Sequence, residues 1–236
     1  MSQNQKNKQN ILDLFPKINF FEDLNENTLD KFAELATIQS FQNSETIILA
    51  GDTHDIFFFI TNGQAKLLYE GKNSKESVLG LLNIGDFFGE IQLFNENIFS
   101  NISVKAEEEC QIIIFKAKDF LDEISKDSKL FMAFLTEQSR KLNRAYMHIA
   151  SLTMSSTKKR VLTCLMLLIE ESGIRVPHDG RVITKLKNRP TQQQIAELSG
   201  TTRETVNREM AILIKEGYIE LSEKDLILFK ELRVED

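Results

Sequence analysis

The sequence has no tryptophan, only three prolines and only two cysteines among its 236 residues. It has no run of about 18 apolar residues, so neither a membrane-spanning helix nor a membrane partner is expected. Its first ten residues are polar and rich in Gln and Asn, unlike the apolar segment of a secretory signal. Without an export signal, Cys110 and Cys164 are expected to be reduced thiols. These absences predict a cytoplasmic globular protein.

The length and the charge distribution both indicate two functional parts. The hydrophobic fraction of 42% is ordinary for a globular chain, and 236 residues exceed the usual size of one domain. The net charge of −6 would by itself argue against a nucleic-acid partner. However, residues 1–154 carry 15 Lys/Arg against 22 Asp/Glu, whereas residues 158–215 carry 11 against 6. This asymmetry favours a polyanion as the partner of the later part alone.

Hydrophobic periodicity changes along the first half of the chain. Residues 11–38 are expected to be helical after a polar tail, with Asn27 or Thr28 as an N-cap. Short apolar runs then alternate with turns rich in Gly, Asn and Asp, which is typical of an all-β barrel or sandwich. The predicted strands are residues 46–49, 56–61, 65–69, 77–82, 102–105 and 110–115.

A long helix is predicted after the strands, with Asp127 or Ser128 as its cap. Apolar residues recur along it with heptad-like spacing for about three heptads, which is typical of a coiled coil. Within one chain, the barrel is the only neighbour on which such a helix can pack, and a second copy of the chain could cover the remaining apolar side. We therefore predict a parallel homodimer, and the alternative is a helix packed on its own domain. The predicted dimer contacts are Leu135, Leu142, Tyr146 and Ile149.

Residues 190–213 have the pattern of a helix-turn-helix. Thr191 and Thr202 are predicted N-caps of two short helices, and Gly200 permits the tight turn between them. In this arrangement the second helix enters the major groove of DNA. An ordinary helical hairpin is the alternative. The local positive charge and a predicted wing hairpin at residues 218–221 and 226–229 favour the DNA-binding interpretation.

The second of these helices exposes the residues predicted to read bases, which are Arg203, Glu204 and Arg208. An arginine can donate two hydrogen bonds to guanine, and a carboxylate can accept one from cytosine. Contacts to the DNA backbone fix the register without reading sequence. They are predicted for Thr191, Gln192, Gln193, Thr202, Thr205 and Lys224.

Three motifs resemble those of the catabolite activator protein (cAMP receptor protein) and fumarate-nitrate regulator superfamily of bacterial transcription factors. Residues 48–51 with 58–63 resemble its β-roll signature, and residues 85–90 with 93–94 resemble its phosphate-binding cassette. Residues 202–208 are similar to its recognition helix, closest to the catabolite activator branch. In that branch the residues matching Arg203, Glu204 and Arg208 read a half-site containing G·C pairs.

The resemblance implies an α+β fold in three parts, in the same order as the periodicity. They are an N-terminal β-roll like the cyclic-nucleotide-binding jelly roll (residues 1–126), a long dimerisation helix (127–154) and a C-terminal winged helix-turn-helix (155–236). It also implies a dimer that binds a palindromic operator in double-stranded DNA and regulates RNA polymerase. The loop at residues 176–182 lies where catabolite activators contact polymerase, but activation and repression both stay open.

The resemblance also implies an effector pocket. Its candidate residues are Gly89, Glu90, Ile91, Ser100, Asn101 and Tyr146. The backbone amides of the first three could face an anion at a short helix start. Glu90 could accept from a hydroxyl or be a structural relic.

The sequence departs from the cAMP-binding branch at this pocket. Ser100 and Asn101 align with the Arg-Ser or Arg-Thr pair whose arginine holds the cyclic phosphate, so the strongest charge-assisted hydrogen bonds are lost. Ala145 and Tyr146 align with a Thr-Ser pair used for adenine, and Tyr146 could itself fill the purine space. These departures predict that cAMP is not bound in the usual way.

Three possibilities for the signal stay open: another nucleotide (including a dimeric cyclic one) or a metabolite, no effector, or a haem or redox signal. The redox option is disfavoured because an N-terminal cysteine cluster is missing and Cys110 lies in a predicted strand. His54 in a turn could bind a metal or haem, but an exposed turn histidine is the favoured interpretation, and no metal site or definite cofactor is predicted. His148 on the long helix and His178 in a loop are isolated, so neither is predicted to bind a metal or haem.

The predicted function is a homodimeric, sequence-specific transcription regulator. The alternative is a nucleotide-sensing regulatory module that acts through protein–protein contacts and retains an inactive DNA domain. An enzyme is not predicted, because the sequence shows no nucleophile–base pair, metal-ligand spacing or phosphate-binding P-loop.

Overall fold

The computed structural model describes residues 3–52, 55–71, 76–93, 101–153, 156–222, 224–230 and 232. They belong to two compact units, Met1–Glu137 and Gln138–Asp236. Among these residues, no helix combines the length and the apolar character needed to cross a bilayer.

Two helices precede the first strand. Helix α1 spans Gln3–Leu12 and helix α2 spans Glu26–Leu35, with short 3-10 helices at Phe15–Lys17 and Asn19–Phe21 between them. The helix predicted to begin at residue 11 therefore begins at Gln3, and it ends at Leu12. Ile11 of α1 is buried, and Lys8 donates to Glu34 of α2 at 2.9 Å. This polar helix has a tertiary partner that composition alone does not show.

The boundaries of α2 also differ from the predicted ones. Its N-cap is Asn25, whose side-chain oxygen accepts from the backbone N–H of Thr28 at 3.0 Å, so neither Asn27 nor Thr28 is the cap. The helix ends at Leu35, and strand β1 (Ala36–Phe41) follows directly. Residues 36–38, predicted as helical, are thus extended because all of β1 pairs with a strand at residues 110–115.

The first unit continues as a roll of two antiparallel sheets. The further strands are β2 (Thr46–Ile48), β3 (Ile56–Asn62), β4 (Ala65–Glu70), β5 (Glu76–Leu82), β6 (Phe87–Phe88), β7 (Ile102–Ala106) and β8 (Cys110–Lys116). Helix α3 (Glu90–Leu93) follows β6, and helices α4 (Ala117–Ile124) and α5 (Ser128–Thr153) follow β8. The sheet orders are β1-β8-β3-β6 and β2-β7-β4-β5. All six predicted strands are confirmed to within one residue at each end.

Phenylalanine rings dominate the core between the first sheet and the helices. Phe120 of α4 stacks near Phe57 of β3, with ring centroids 4.5 Å apart. Leu130 and Phe134 of α5 are buried in the same cluster. Large buried rings are the main source of apolar area in such a core. The N-terminal part of the long helix is therefore anchored in the core of the first unit.

The second unit contains the end of α5 and a compact α/β module. The module comprises α6 (Thr157–Ser172), β9 (Gly173–His178), β10 (Arg181–Leu186), α7 (Gln192–Leu198), α8 (Arg203–Lys215), β11 (Ile219–Leu221) and β12 (Leu226–Leu228). Its sheet has the order β11-β12-β10-β9. Asp179 and Gly180 join β9 to β10 with φ of +46° and +74°. Positive φ at both positions is the geometry of a two-residue hairpin turn.

Candidate nucleic-acid interface and effector region

Helix α7 begins with a capping box. The Thr191 hydroxyl accepts from the backbone N–H of Gln194 at 3.2 Å, and the Gln194 side-chain oxygen accepts from the backbone N–H of Thr191 at 2.7 Å. Each bond satisfies an N–H group that the start of a helix would otherwise leave unpaired. The predicted N-cap at Thr191 is confirmed.

The turn between α7 and α8 requires glycine at position 200. Gly200 has a φ of +60°, which side-chain-bearing residues adopt at a cost. A Cβ atom at this position would also lie 3.3 Å from Cδ2 of Leu152 on α5. The tight turn predicted from the sequence is therefore present, and it is also packed against the long helix.

Helix α8 is fixed by its cap and by its buried face. The Thr202 hydroxyl accepts from the backbone N–H of Thr205 at 3.3 Å, which confirms the predicted cap. Val206, Met210 and Leu213 are buried. Because residues three and four apart share a helix face, the opposite face of α8 is presented to solvent.

That exposed face carries Arg203, Glu204, Asn207 and Arg208. The Asn207 side-chain oxygen accepts from the side-chain N–H of Gln192 at 3.1 Å, which joins α7 to α8 beside this face. Nε of Arg208 lies 3.5 Å from a carboxylate oxygen of the adjacent Glu209. We call the surface formed by Arg203, Glu204, Asn207 and Arg208 the recognition face. It contains all three side chains predicted to read bases.

The side chains predicted to contact the DNA backbone lie around the recognition face or at the wing. Gln193 donates to Glu197 along α7 at 2.8 Å, and the hydroxyls of Thr202 and Thr205 are 3.1 Å apart. Lys224 lies between β11 and β12, where its backbone oxygen accepts from the N–H of Arg189 at 2.8 Å. Their contacts with DNA stay predictions.

An ion pair supports the wing turn that carries Lys224. Nζ of Lys185 on β10 lies 2.8 Å from Oδ2 of Asp225. Oδ1 of Asp225 also accepts from the backbone N–H of Asn188 at 3.3 Å. The Lys185 ammonium holds the pKa of the Asp225 carboxyl below its usual range. The carboxylate therefore stays ionised, and it links the wing turn to β10, an inner strand of the sheet.

His148 has a tertiary partner that the sequence did not reveal. Its Nε2 lies 2.8 Å from the backbone oxygen of Leu198, the last residue of α7. The prediction that His148 is isolated is wrong, because its partner is a main-chain group 50 positions away. Every residue has a backbone carbonyl, so the identity of Leu198 does not indicate this contact.

Three candidate effector residues are consecutive at the start of helix α3. Gly89 has a φ of +93°, and a Cβ there would lie 2.5 Å from the backbone oxygen of Ile56, so only glycine fits beside β3. Glu90 and Ile91 begin α3, with Glu90 half-buried and Ile91 exposed. This start of α3 is the position from which the amides were predicted to face an anion.

Of the other effector candidates, two belong to the described residues, and they lie in different units. Asn101 has an exposed side chain, and its backbone oxygen accepts from the N–H of Glu70 at 2.9 Å. Tyr146 is exposed on the part of α5 that belongs to the second unit. Ser100 and His54 lie outside the described residues.

The interior of the roll is mostly apolar. Phe58 and Phe88 stack with ring centroids 4.6 Å apart, in a cluster that includes Cys110. The Cys110 thiol lies 3.1 Å from the backbone oxygen of Gln64, and burial raises its pKa. A thiol with a raised pKa is a poor nucleophile and a poor redox sensor. Within the described ranges, no group of three or more His, Cys, Asp or Glu could hold a metal ion.

Comparison with known families agrees with this architecture. Residues 38–127 match the family model of the cyclic nucleotide-binding domain, and residues 159–233 match that of the Crp-like helix-turn-helix domain. A roll of this family followed by such a module defines a helix-turn-helix transcription regulator. The chain belongs to the catabolite activator protein and fumarate-nitrate regulator superfamily.

Relatives of known function and structure cover most of the chain. The cAMP-activated global transcriptional regulator Vfr of Pseudomonas aeruginosa is 27% identical over 204 residues, which are 85% of this chain and 93% of Vfr. A CooA mutant from Carboxydothermus hydrogenoformans has a TM-score of 0.68 at 19% identity, covering 84% of this chain and 85% of CooA. The c-di-GMP responsive regulator CLP of Xanthomonas campestris has a TM-score of 0.64 at 19% identity, and the match covers 88% of this chain and 100% of CLP. At these identities the two structures show a shared fold, which confirms the predicted fold class.

Proposed function

We propose that the protein is a homodimeric regulator that reads a palindromic operator with the recognition face of α8. The observation that carries this proposal is the exposure of Arg203, Glu204 and Arg208 on a helix whose cap and buried face are both fixed. A rigid helix presents its side chains to base edges without an added cost for ordering the backbone. Arginine can donate two bonds to guanine O6 and N7, and Glu204 can accept from cytosine N4.

Phosphate contacts would hold this helix in register. The proposed contacts are Thr191, Gln192, Gln193, Thr202, Thr205 and Lys224. The capping residues Thr191 and Thr202 stand at the starts of the two helices, where backbone N–H groups and the helix dipole favour a phosphate. These contacts would supply affinity that does not depend on sequence, and the recognition face would supply the specificity.

The long helix supports the homodimer. Leu135, Leu142, Tyr146 and Ile149 are 42%, 52%, 60% and 59% exposed in the single chain. At about 100° per residue they lie on one side of α5, and we call them the dimer stripe. Burying apolar area contributes about 25 cal/mol per Å², so a second copy is the proposed partner of this stripe. A two-fold dimer places its recognition helices one DNA turn apart, about 34–36 Å.

The proposed organisation keeps the three parts expected from the sequence, with a sensor at residues 1–126, a dimerisation helix at 127–154 and a DNA-binding module at 155–236. RNA polymerase is the proposed protein partner. The support for it is the β9–β10 hairpin, where His178, Arg181 and Val182 are exposed. Whether contact there activates or represses transcription depends on where the operator lies.

Selection of binding sites from a random library of DNA duplexes tests this proposal. We expect enrichment of palindromes whose half-sites are about 10 base pairs apart, because the dimer symmetry is imposed on the DNA. Affinity for random duplex should fall steeply with salt, as phosphate contacts release counterions. If no sequence is enriched and no duplex binds at low salt, the protein is better explained as a sensing module that acts through protein contacts.

The proposed regulator does not respond to cAMP in the usual way of its family. Ser100 and Asn101 stand in place of the pair that holds the cyclic phosphate, and Tyr146 stands in place of a residue used for adenine. The exposure of Tyr146 on the dimer stripe supports a role between subunits. Another nucleotide or metabolite and regulation without an effector both stay open, whereas the burial of Cys110 disfavours a redox signal.

Operator binding in the presence of cAMP tests this expectation. We expect cAMP to change the operator dissociation constant by less than about twofold, because no guanidinium is available at position 100 to pair with the phosphate. Calorimetric titration with cAMP, cyclic di-GMP and mononucleotides should accompany the binding assay. A saturable heat with cAMP, together with tighter operator binding, would contradict the expectation.

A further inference from the structure

We infer that His148 is a positioning residue that fixes the turn of the helix-turn-helix against the dimerisation helix. The inference rests on the proposed function, because it concerns how the recognition helices are held in a dimer. We call the contact of His148 and Leu152 with Leu198 and Gly200 the turn contact. All four residues belong to the second unit.

The first part of the turn contact is a hydrogen bond from a side chain to the backbone. His148 Nε2 lies 2.8 Å from the backbone oxygen of Leu198. A carbonyl oxygen only accepts, so the ring nitrogen must donate its N–H. Leu198 is the last residue of α7, where carbonyls have no partner within the helix. The imidazole therefore satisfies a backbone group at the entrance to the turn.

The second part is close packing of the turn on the last turns of α5. Cδ2 of Leu152 would lie 3.3 Å from a Cβ at Gly200, so any larger residue there would press on α5. Ser151, between the two contact residues, is fully buried and donates to the backbone oxygen of His148 at 2.8 Å. One side of this stretch of α5 is thus packed, although Leu152 itself stays 45% exposed.

A third contact holds the turn from α6. Nη2 of Arg160 donates to the backbone oxygen of Gly200 at 3.4 Å. Ser199, between the two held carbonyls, is fully buried and donates to the backbone oxygen of Ile195 at 2.6 Å. The turn is therefore held by two helices at residues 198 and 200, directly before the cap of α8.

His148 lies on a different side of α5 from the dimer stripe. At about 100° per residue, it is more than about 100° around the helix from the centre of Leu142, Tyr146 and Ile149. One side of α5 is thus available to a second copy while another side holds the turn that leads into α8. The position of α5 in the dimer thereby determines the position of the recognition face.

The proposed role has a direct consequence for DNA binding. Two half-sites at a fixed separation are best bound by two recognition helices at a fixed separation, since a loose joint adds an ordering cost on binding. Random DNA is bound through phosphates and has no such requirement. Loss of the His148 bond should therefore weaken operator binding selectively and relax the preference for half-site spacing.

The experiment compares His148→Ala with His148→Gln in the full chain. Gln keeps a side-chain N–H donor, and Ala does not. We expect His148→Ala to weaken binding to the selected operator about tenfold and to change binding to random duplex less than about twofold. We expect His148→Gln to recover most of the loss. Operators lengthened by one base pair between half-sites should be disfavoured less strongly by His148→Ala than by the wild type.

Thermal unfolding of each variant measures any loss of overall stability. The preference for half-site spacing does not depend on overall stability, so a change in that preference reports a change in positioning. Operator affinity and spacing preference unchanged in His148→Ala would overturn the role of His148 and leave the proposed function intact. The role of His148 would also be overturned if His148→Ala and His148→Gln lost operator affinity equally, or if His148→Ala lost affinity for operator and random duplex equally. Tighter operator binding by His148→Ala would overturn it as well. A wild-type protein without any operator preference would instead overturn the proposed function, and the role of His148 with it.

Discussion

Leu142→Asp is expected to convert the proposed dimer to a monomer and to weaken operator binding by at least about 100-fold, because binding of the second half-site would no longer be intramolecular. Leu142 is 52% exposed on the single chain, in the middle of the dimer stripe. In a parallel dimer the substitution would place two carboxylates opposite each other in an apolar interface, where burial of unpaired charge is costly. Sedimentation equilibrium and operator binding measure the two effects.

Met147→Asp is the matched control for this substitution. Met147 is an exposed apolar residue on the same helix, 43% exposed, and it lies on a different side of α5 from Leu142. The same charge is introduced there, so any general effect on helix stability should be shared. We expect Met147→Asp to stay dimeric and to bind operator. If both variants were dimeric, or both monomeric, the dimer stripe would be wrongly assigned.

The second large effect is expected on the recognition face. Arg203→Ala and Arg208→Ala should each weaken operator binding by about 1–3 kcal/mol, the value of a good arginine–guanine contact. This is a factor of about 5 to 150 in the dissociation constant. Binding to random duplex should change much less, because base reading contributes little there. Competition assays with operator and random duplex measure the difference.

Arg181→Ala is the control for lost positive charge. Arg181 is an exposed arginine in the same unit, at the start of β10 and away from α8. We expect it to weaken operator and random duplex equally and slightly. If Arg203→Ala and Arg208→Ala behaved in the same way as Arg181→Ala, the base-reading assignment would be incorrect and α8 would act through phosphates alone.

The division of charge agrees with these expectations. The net charge of −6 comes from an acidic first part, while residues 158–215 carry 11 basic against 6 acidic residues. In the proposed regulator, the acidic first part is expected to keep affinity for random DNA modest, since long-range attraction depends on the field of the whole protein. Specific binding then depends on two correctly spaced recognition helices, which is why the dimer stripe and the recognition face should give the largest effects.

The sequence determined the elements whose cause is local. The short apolar runs of β3 and β8, the caps at Thr191 and Thr202, and the turn at Gly200 all follow from patterns within a few residues. The recognition helix is also a local motif, so its exposed arginines could be predicted without a structure. The family resemblance rests on such short segments, and family comparison confirmed it.

Only the tertiary structure decided the features that depend on distant partners. Helix α1 exists because Lys8 and Ile11 meet the rest of the first unit, and β1 is extended because it pairs with β8. Gly89 is required by the backbone of Ile56, and His148 is held by the backbone of Leu198. In each case the partner is remote in sequence or is a main-chain group, so residue identity carries no trace of it. The sequence by itself thus determined what kind of regulator this is, and tertiary packing decided how its DNA-reading turn is held.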